Sequence, residues 1–121
     1  MTDTLTRYRA SMTESQMLDG LRGQIVTAQR GLFAHVQKPE RQTDARGLPD
    51  VIAIVPCGNG AHMLYGIEIK TRYDKRRPEQ DEWIERLNGV IGVRGLVLRA
   101  GLPKADDELS YDIVLKMLEE S

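Results

Sequence analysis

Cysteine is nearly absent from this sequence. Cys57 stands alone, which excludes an intrachain disulfide framework and a cysteine-based zinc site. Histidine is almost as scarce: His35 and His62 lack the spacing of paired metal ligands and read as ordinary polar residues. Long apolar runs are missing too. None approaches the roughly 20 residues that span a bilayer, and Met1 to Ala10 has no apolar core of signal-peptide type. A soluble protein of a reducing cytoplasm, with no membrane partner, is the expectation. Finally, there is no excess charge of one sign. The 17 Lys and Arg against 18 Asp and Glu leave a net charge of -1, and that total gives no hint of a nucleic-acid partner.

What is present suffices for one folded unit. The 121 residues are 40% hydrophobic and 29% charged, too apolar for a disordered chain and long enough for a single core. We expect a flexible N-terminus over residues 1–10 and one domain over residues 11–121. The balanced total conceals an asymmetry. Residues 104–121 hold two basic and six acidic residues, whereas residues 1–103 carry a net positive charge. The densest basic run is Lys70-Thr71-Arg72-Tyr73-Asp74-Lys75-Arg76-Arg77. Taken alone it reads as a solvated loop or as a phosphate-binding patch.

The pattern of elements is mixed. Ser11-Met12-Thr13-Glu14 has capping-box spacing, and Met17, Leu18, Leu21, Ile25 and Ala28 recur at helical period up to a stop at Gly31. Leu32 to Val36 reads as a short strand. Residues 37–46 read as a loop, and Asp50 to Val55 as a strand apolar enough to be covered on both faces. A turn over Pro56, Gly58, Asn59 and Gly60 leads to a returning strand from Met63 to Thr71. Pro78 opens a helix with Trp83, Ile84, Leu87 and Ile91 as its apolar stripe, and here Trp83 reads as core rather than as a stacking platform. Gly95 to Arg99 is a short buried strand. The last helix runs from about Ser110 to Glu119, with Ile113, Val114, Met117 and Leu118 inward. The order α-β-β-β-α-β-α predicts an α/β domain with a small mixed sheet flanked by helices.

Three residues in this frame look chemical. Period-2 alternation puts Glu68 and Lys70 on one face of the third strand, roughly 7 Å apart. Two charges there form either a solvated ion pair or a functional group. Asp50 enters the neighbouring strand behind Gly47-Leu48-Pro49, and it either ends the loop with a local hydrogen bond or lies beside Glu68. Two carboxylates that close repel unless a cation lies between them, and an all-oxygen site suits Mg²⁺ or Mn²⁺.

Gly47-Leu48-Pro49-Asp50, Glu68-Ile69-Lys70 and Gln80 in Pro78-Glu79-Gln80 together resemble the PD-(D/E)xK nuclease pattern. The closer resemblance is to its VRR-NUC branch, the virus-type replication and repair nucleases. The family also has an acid on the first helix, a place that Glu14 fits alongside a plain capping role. The resemblance covers about residues 12–100 and implies a restriction-endonuclease-like core that hydrolyses phosphodiester bonds. It implies Mg²⁺ or Mn²⁺ held by Asp50, Glu68 and the backbone carbonyl of Ile69, with Glu14 as a further candidate ligand. Lys70 would position the attacking water, and Gln80 would support the water or the carboxylates. Arg72, Lys75, Arg76 and Arg77 would meet the nucleic-acid backbone. Stand-alone members resemble small viral and phage resolvases. The partner implied is therefore branched DNA, a Holliday junction or flap in replication, recombination or repair. A homodimer in the host cytoplasm is expected, with no small-molecule organic cofactor.

Overall fold

The structure, a computed structural model, describes residues 10–36 and 47–120. The segment expected to be flexible, apart from Ala10, and the loop expected over residues 37–46 lie outside the described residues. Among the described residues no helix is long and apolar enough to cross a membrane.

Helix α1 spans Glu14–Arg22 and continues into a π-helical segment, Gly23–Ala28. Its capping box lies two residues later than the sequence pattern suggests. Thr13 Oγ1 accepts from the Gln16 amide at 3.1 Å, and Gln16 Oε1 accepts from the Thr13 amide at 2.8 Å. Gln reaches back as well as Glu does, so Thr13 outcompetes Ser11 and Glu14 is left out of the cap. At the other end, Arg30 rather than Gly31 takes the left-handed conformation, with φ of 56°.

Five strands follow in the sheet order β1-β2-β3-β4-β5: β1 Leu32–His35, β2 Val51–Pro56, β3 His62–Lys70, β4 Val93–Arg99 and β5 Glu108–Ser110. The first two pairings are antiparallel and the last two parallel. Helix α2, Pro78–Asn88, makes the crossover that a parallel β3–β4 pair requires. Strand β5 was not expected. Its three residues, Glu-Leu-Ser, carry no strand pattern of their own, and their pairing with Val97, Leu98 and Arg99 makes them a strand.

The main core lies on one face of the sheet. Val51, Ala53 and Val55 of β2 and Tyr65, Ile67 and Ile69 of β3 pack with Met17, Leu21 and Ile25, and with Tyr111, Val114 and Leu118 of helix α3, Tyr111–Glu119. Burial of these side chains is the main stabilising term, at roughly 25 cal/mol per Å² of apolar surface. Strand β2 alternates between buried and half-buried positions, so only one of its faces is fully covered. Ile113 and Ile91, both expected inward, are exposed: Ile91 lies beyond the end of α2, and Tyr111 takes the inward place on α3.

Helix α2 covers the opposite face, over Gly66, Glu68 and Lys70 of β3 and Gly95 and Val97 of β4. Gly95 permits the approach, since a Cβ there would stand 2.9 Å from the Ile84 carbonyl oxygen. That placement puts a helix over two charged residues, Glu68 and Lys70.

Candidate active site

Asp50 is delivered by a turn that needs a glycine at position 47. Gly47 has φ of +82°, and a Cβ there would lie 2.5 Å from the carbonyl carbon and oxygen of Glu79, in the first turn of α2. Pro49 is fully buried against the sheet. The turn is thus held between α2 and β3, and Asp50 emerges one residue before β2 begins. Val51 pairs with Ile67, so Asp50 falls opposite Glu68. Asp50 Oδ2 accepts from the Ile69 amide at 2.8 Å, meeting a strand donor that β2 does not reach.

Glu68 and Lys70 are only 2% and 5% exposed, which decides against a solvated sheet face. Gln80 joins them. Its Nε2 donates to Glu68 Oε1 at 2.7 Å, and its Oε1 accepts from Lys70 Nζ at 2.5 Å. Lys70 Nζ also donates to the Lys75 carbonyl at 3.0 Å. An amide is the group for this link, because it donates at one end and accepts at the other. Burial pushes the Lys70 ammonium below the usual lysine range, against the opposing pull of Glu68, Asp74 and Asp50.

These groups open onto one cleft of about 460 Å³. Glu14, Asp50, Glu68, Ile69, Lys70, Gln80, Lys75 and Arg77 all line it, with Tyr73 and Asp74 at their side. A hollow of similar size, about 440 Å³, lies between Met63 and Tyr65 of β3 and Met117 of α3, but Glu120 is its only carboxylate. The clustered acids therefore single out the first cleft.

The donor set fits a hard divalent cation. Asp50, Glu68 and the Ile69 carbonyl offer oxygen alone, the choice of Mg²⁺ or Mn²⁺ rather than zinc. Among the described residues no three His, Cys, Asp or Glu side chains form a group able to hold a metal, so Glu14 lines the cleft without completing a third carboxylate ligand.

The basic run is only partly turned to the cleft. Arg76 is held by Asp81 at 2.6 Å, Asp107 at 2.8 Å and Glu108 at 3.4 Å, which corrects the expectation that it is available for phosphate. Arg72, Lys75 and Arg77 are the exposed cations of the run. The charge map changes with this. The acidic segment after β4 does not stay apart from the basic run but folds back onto it.

Sequence reasoning missed the group that fixes this loop. Arg99 and Glu108 form a buried bidentate pair at 2.9 and 2.8 Å. Arg99 Nη1 also donates to the carbonyls of Thr71 at 2.9 Å and Asp74 at 2.6 Å. The one available signal was an Arg at the end of an apolar strand. The Arg99 guanidinium holds the Glu108 carboxyl down at about 2, and Arg76 lowers that of Asp107. Depressed carboxyl pKa values stabilise the fold above their unfolded values, and that stability is lost as pH falls through the folded ones. The melting temperature is therefore expected to hold steady above about pH 5 and to fall between about pH 4.5 and pH 2. Glu108→Gln should melt lower at neutral pH and show a shallower acid limb. A wild-type melting temperature that stays level down to pH 2.5 would show that this pair does not govern acid stability.

The fold and cleft together define an α/β domain of restriction-endonuclease-like architecture. No family model matches the chain, and no curated protein matches it. Among solved structures, one described as a VRR_NUC domain aligns with a TM-score of 0.54 at 23% identity, over 89% of this chain and 97% of that one. The chain thus has the fold of a VRR_NUC domain, in line with the resemblance carried by its motif residues.

Proposed function

We propose that this chain is a divalent-metal-dependent nuclease that hydrolyses phosphodiester bonds in DNA. The observation that carries the reading is the Glu68–Gln80–Lys70 link, buried beside Asp50 in one cleft. Burying two charges and the amide between them is costly, and a structural ion pair has no need of a second carboxylate next to it.

Asp50 and Glu68, with the Ile69 carbonyl, would hold Mg²⁺ or Mn²⁺. The ion supplies charge neutralisation at the scissile phosphate and a lower pKa for the attacking water. Lys70, held in place by Gln80 and the Lys75 carbonyl, orients that water and stabilises charge growing on the phosphate. Gln80 keeps the carboxylate and the ammonium at fixed positions, so neither reorganises during the reaction. Arg72, Lys75 and Arg77 meet the neighbouring phosphates, contacts that give affinity and salt dependence but no sequence readout. Branched DNA is the proposed substrate, since contacts to phosphates follow the shape of the nucleic acid and not its sequence. Two sites in a homodimer would cut both strands of a junction.

A cleavage panel tests this. Four-way junctions, flaps, splayed arms, duplex and single strands are offered with Mg²⁺ or Mn²⁺. Cutting is expected on branched forms, and loss of it with EDTA or in Asp50→Asn. Protein that cuts none of these substrates would overturn the proposal.

A further inference from the structure

Tyr73 has no place in the hydrolytic site, yet it lines the same cleft and is 78% exposed. Among the described residues it is the one exposed aromatic, while Tyr65 and Tyr111 are buried and Trp83 is half-buried on α2. An exposed phenol ring on a loose loop would be unremarked, but this turn is held from three sides. The Thr71 amide donates to Asp74 Oδ2 at 2.8 Å, Arg99 grips the carbonyls of Thr71 and Asp74, and Lys104 Nζ donates to the Arg72 carbonyl. Two exposed cations stand over the ring: the Arg72 guanidinium 5.3 Å from its centroid and the Lys104 ammonium 5.9 Å.

We propose that Tyr73, with Arg72 and Lys104 beside it, is a stacking platform for an unpaired nucleobase next to the scissile phosphate. The proposal rests on the nuclease reading for its location. A rigid ring loses little conformational freedom when a base stacks on it, and every base has a π-face, so such a platform is tolerant of sequence. The flanking cations suit the phosphates on either side of the stacked nucleotide. A base inside a duplex is already stacked on its neighbours and gains nothing from the ring. The platform therefore selects DNA with an unpaired nucleotide at the cut site, which a branch point provides. Lys104 joins the basic set from outside the run in which the other cations lie.

Binding without cleavage tests it, using Ca²⁺ in place of Mg²⁺. The probes are a single-stranded dT oligonucleotide, a strand of the same length built of abasic nucleotides, and a linear duplex. The wild type is expected to bind dT about tenfold more tightly than the abasic strand. Tyr73→Ala should abolish that preference and leave duplex binding unchanged, and Tyr73→Trp should keep it. Equal wild-type affinity for the two single strands, or a preference that survives in Tyr73→Ala, would overturn the platform while Mg²⁺-dependent cutting still stood. A protein that binds no probe and cuts no substrate would overturn both this inference and the nuclease reading.

Discussion

Lys70→Met is expected to slow cleavage about a thousandfold, measured as a single-turnover rate at saturating metal. The argument starts from where the ammonium lies. Lys70 Nζ is fixed between Gln80 Oε1 and the Lys75 carbonyl, on the same strand face as Glu68 and within the cleft that Asp50 enters. Methionine keeps the length and most of the packing of the stem but removes the charge and the donors. Lys70→Arg should not restore activity, because a planar guanidinium cannot occupy a buried point-charge position. Gln80→Ala provides the comparison. It removes the link but leaves both charges in the cleft, so a smaller loss of about 10-fold to 100-fold is expected. A Lys70→Met rate within threefold of wild type would remove Lys70 from the mechanism. Equal losses in Lys70→Met and Gln80→Ala would reduce the lysine's role to holding the amide.

The second large effect lies away from the chemistry. Arg99→Met is expected to cost about 3–5 kcal/mol, because it strands the Glu108 carboxylate in the interior. For a domain of this size that corresponds to a fall of roughly 10–20 °C in melting temperature. Replacing both partners, Arg99→Met with Glu108→Leu, should recover much of the stability, since an apolar pair often serves as well as a buried ionic one. Activity should not return with it. Arg99 also carries the Thr71 and Asp74 carbonyls, and without them the turn that holds Tyr73 and leads to Lys75 loses its anchor. Stability regained with cleavage still low is the expected result. Recovery of both together would show that the loop does not depend on Arg99.

The motif residues were legible because their relations are local. Strand alternation alone puts Glu68 and Lys70 on one face, and the hairpin between β2 and β3 brings Asp50 opposite Glu68. Gln80 follows from the helix start at Pro78. The capping box was misplaced for an equally local reason: Ser11, Thr13, Glu14 and Gln16 offer two overlapping solutions, and the helix uses the later one.

The burial of Glu68 and Lys70 was not legible. The same alternation fits a solvated face, and the helix laid across it makes the difference. Strand β5 was hidden because three residues cannot signal a strand without the neighbour that accepts them. The charge pattern shows the limit most clearly. By itself the sequence determined that residues 70–77 are basic, that residues 104–121 are acidic, and that the net charge is -1. Only the tertiary structure decided that these segments meet, with Arg76 on Asp107 and Arg99 on Glu108 across 31 and 9 residues of chain. The reason is physical. A strand's period determines the face on which a side chain lies, but its charge partner is set by which strand packs alongside. That choice turns on the burial and pairing of β4 and β5, not on the residues that bear the charge.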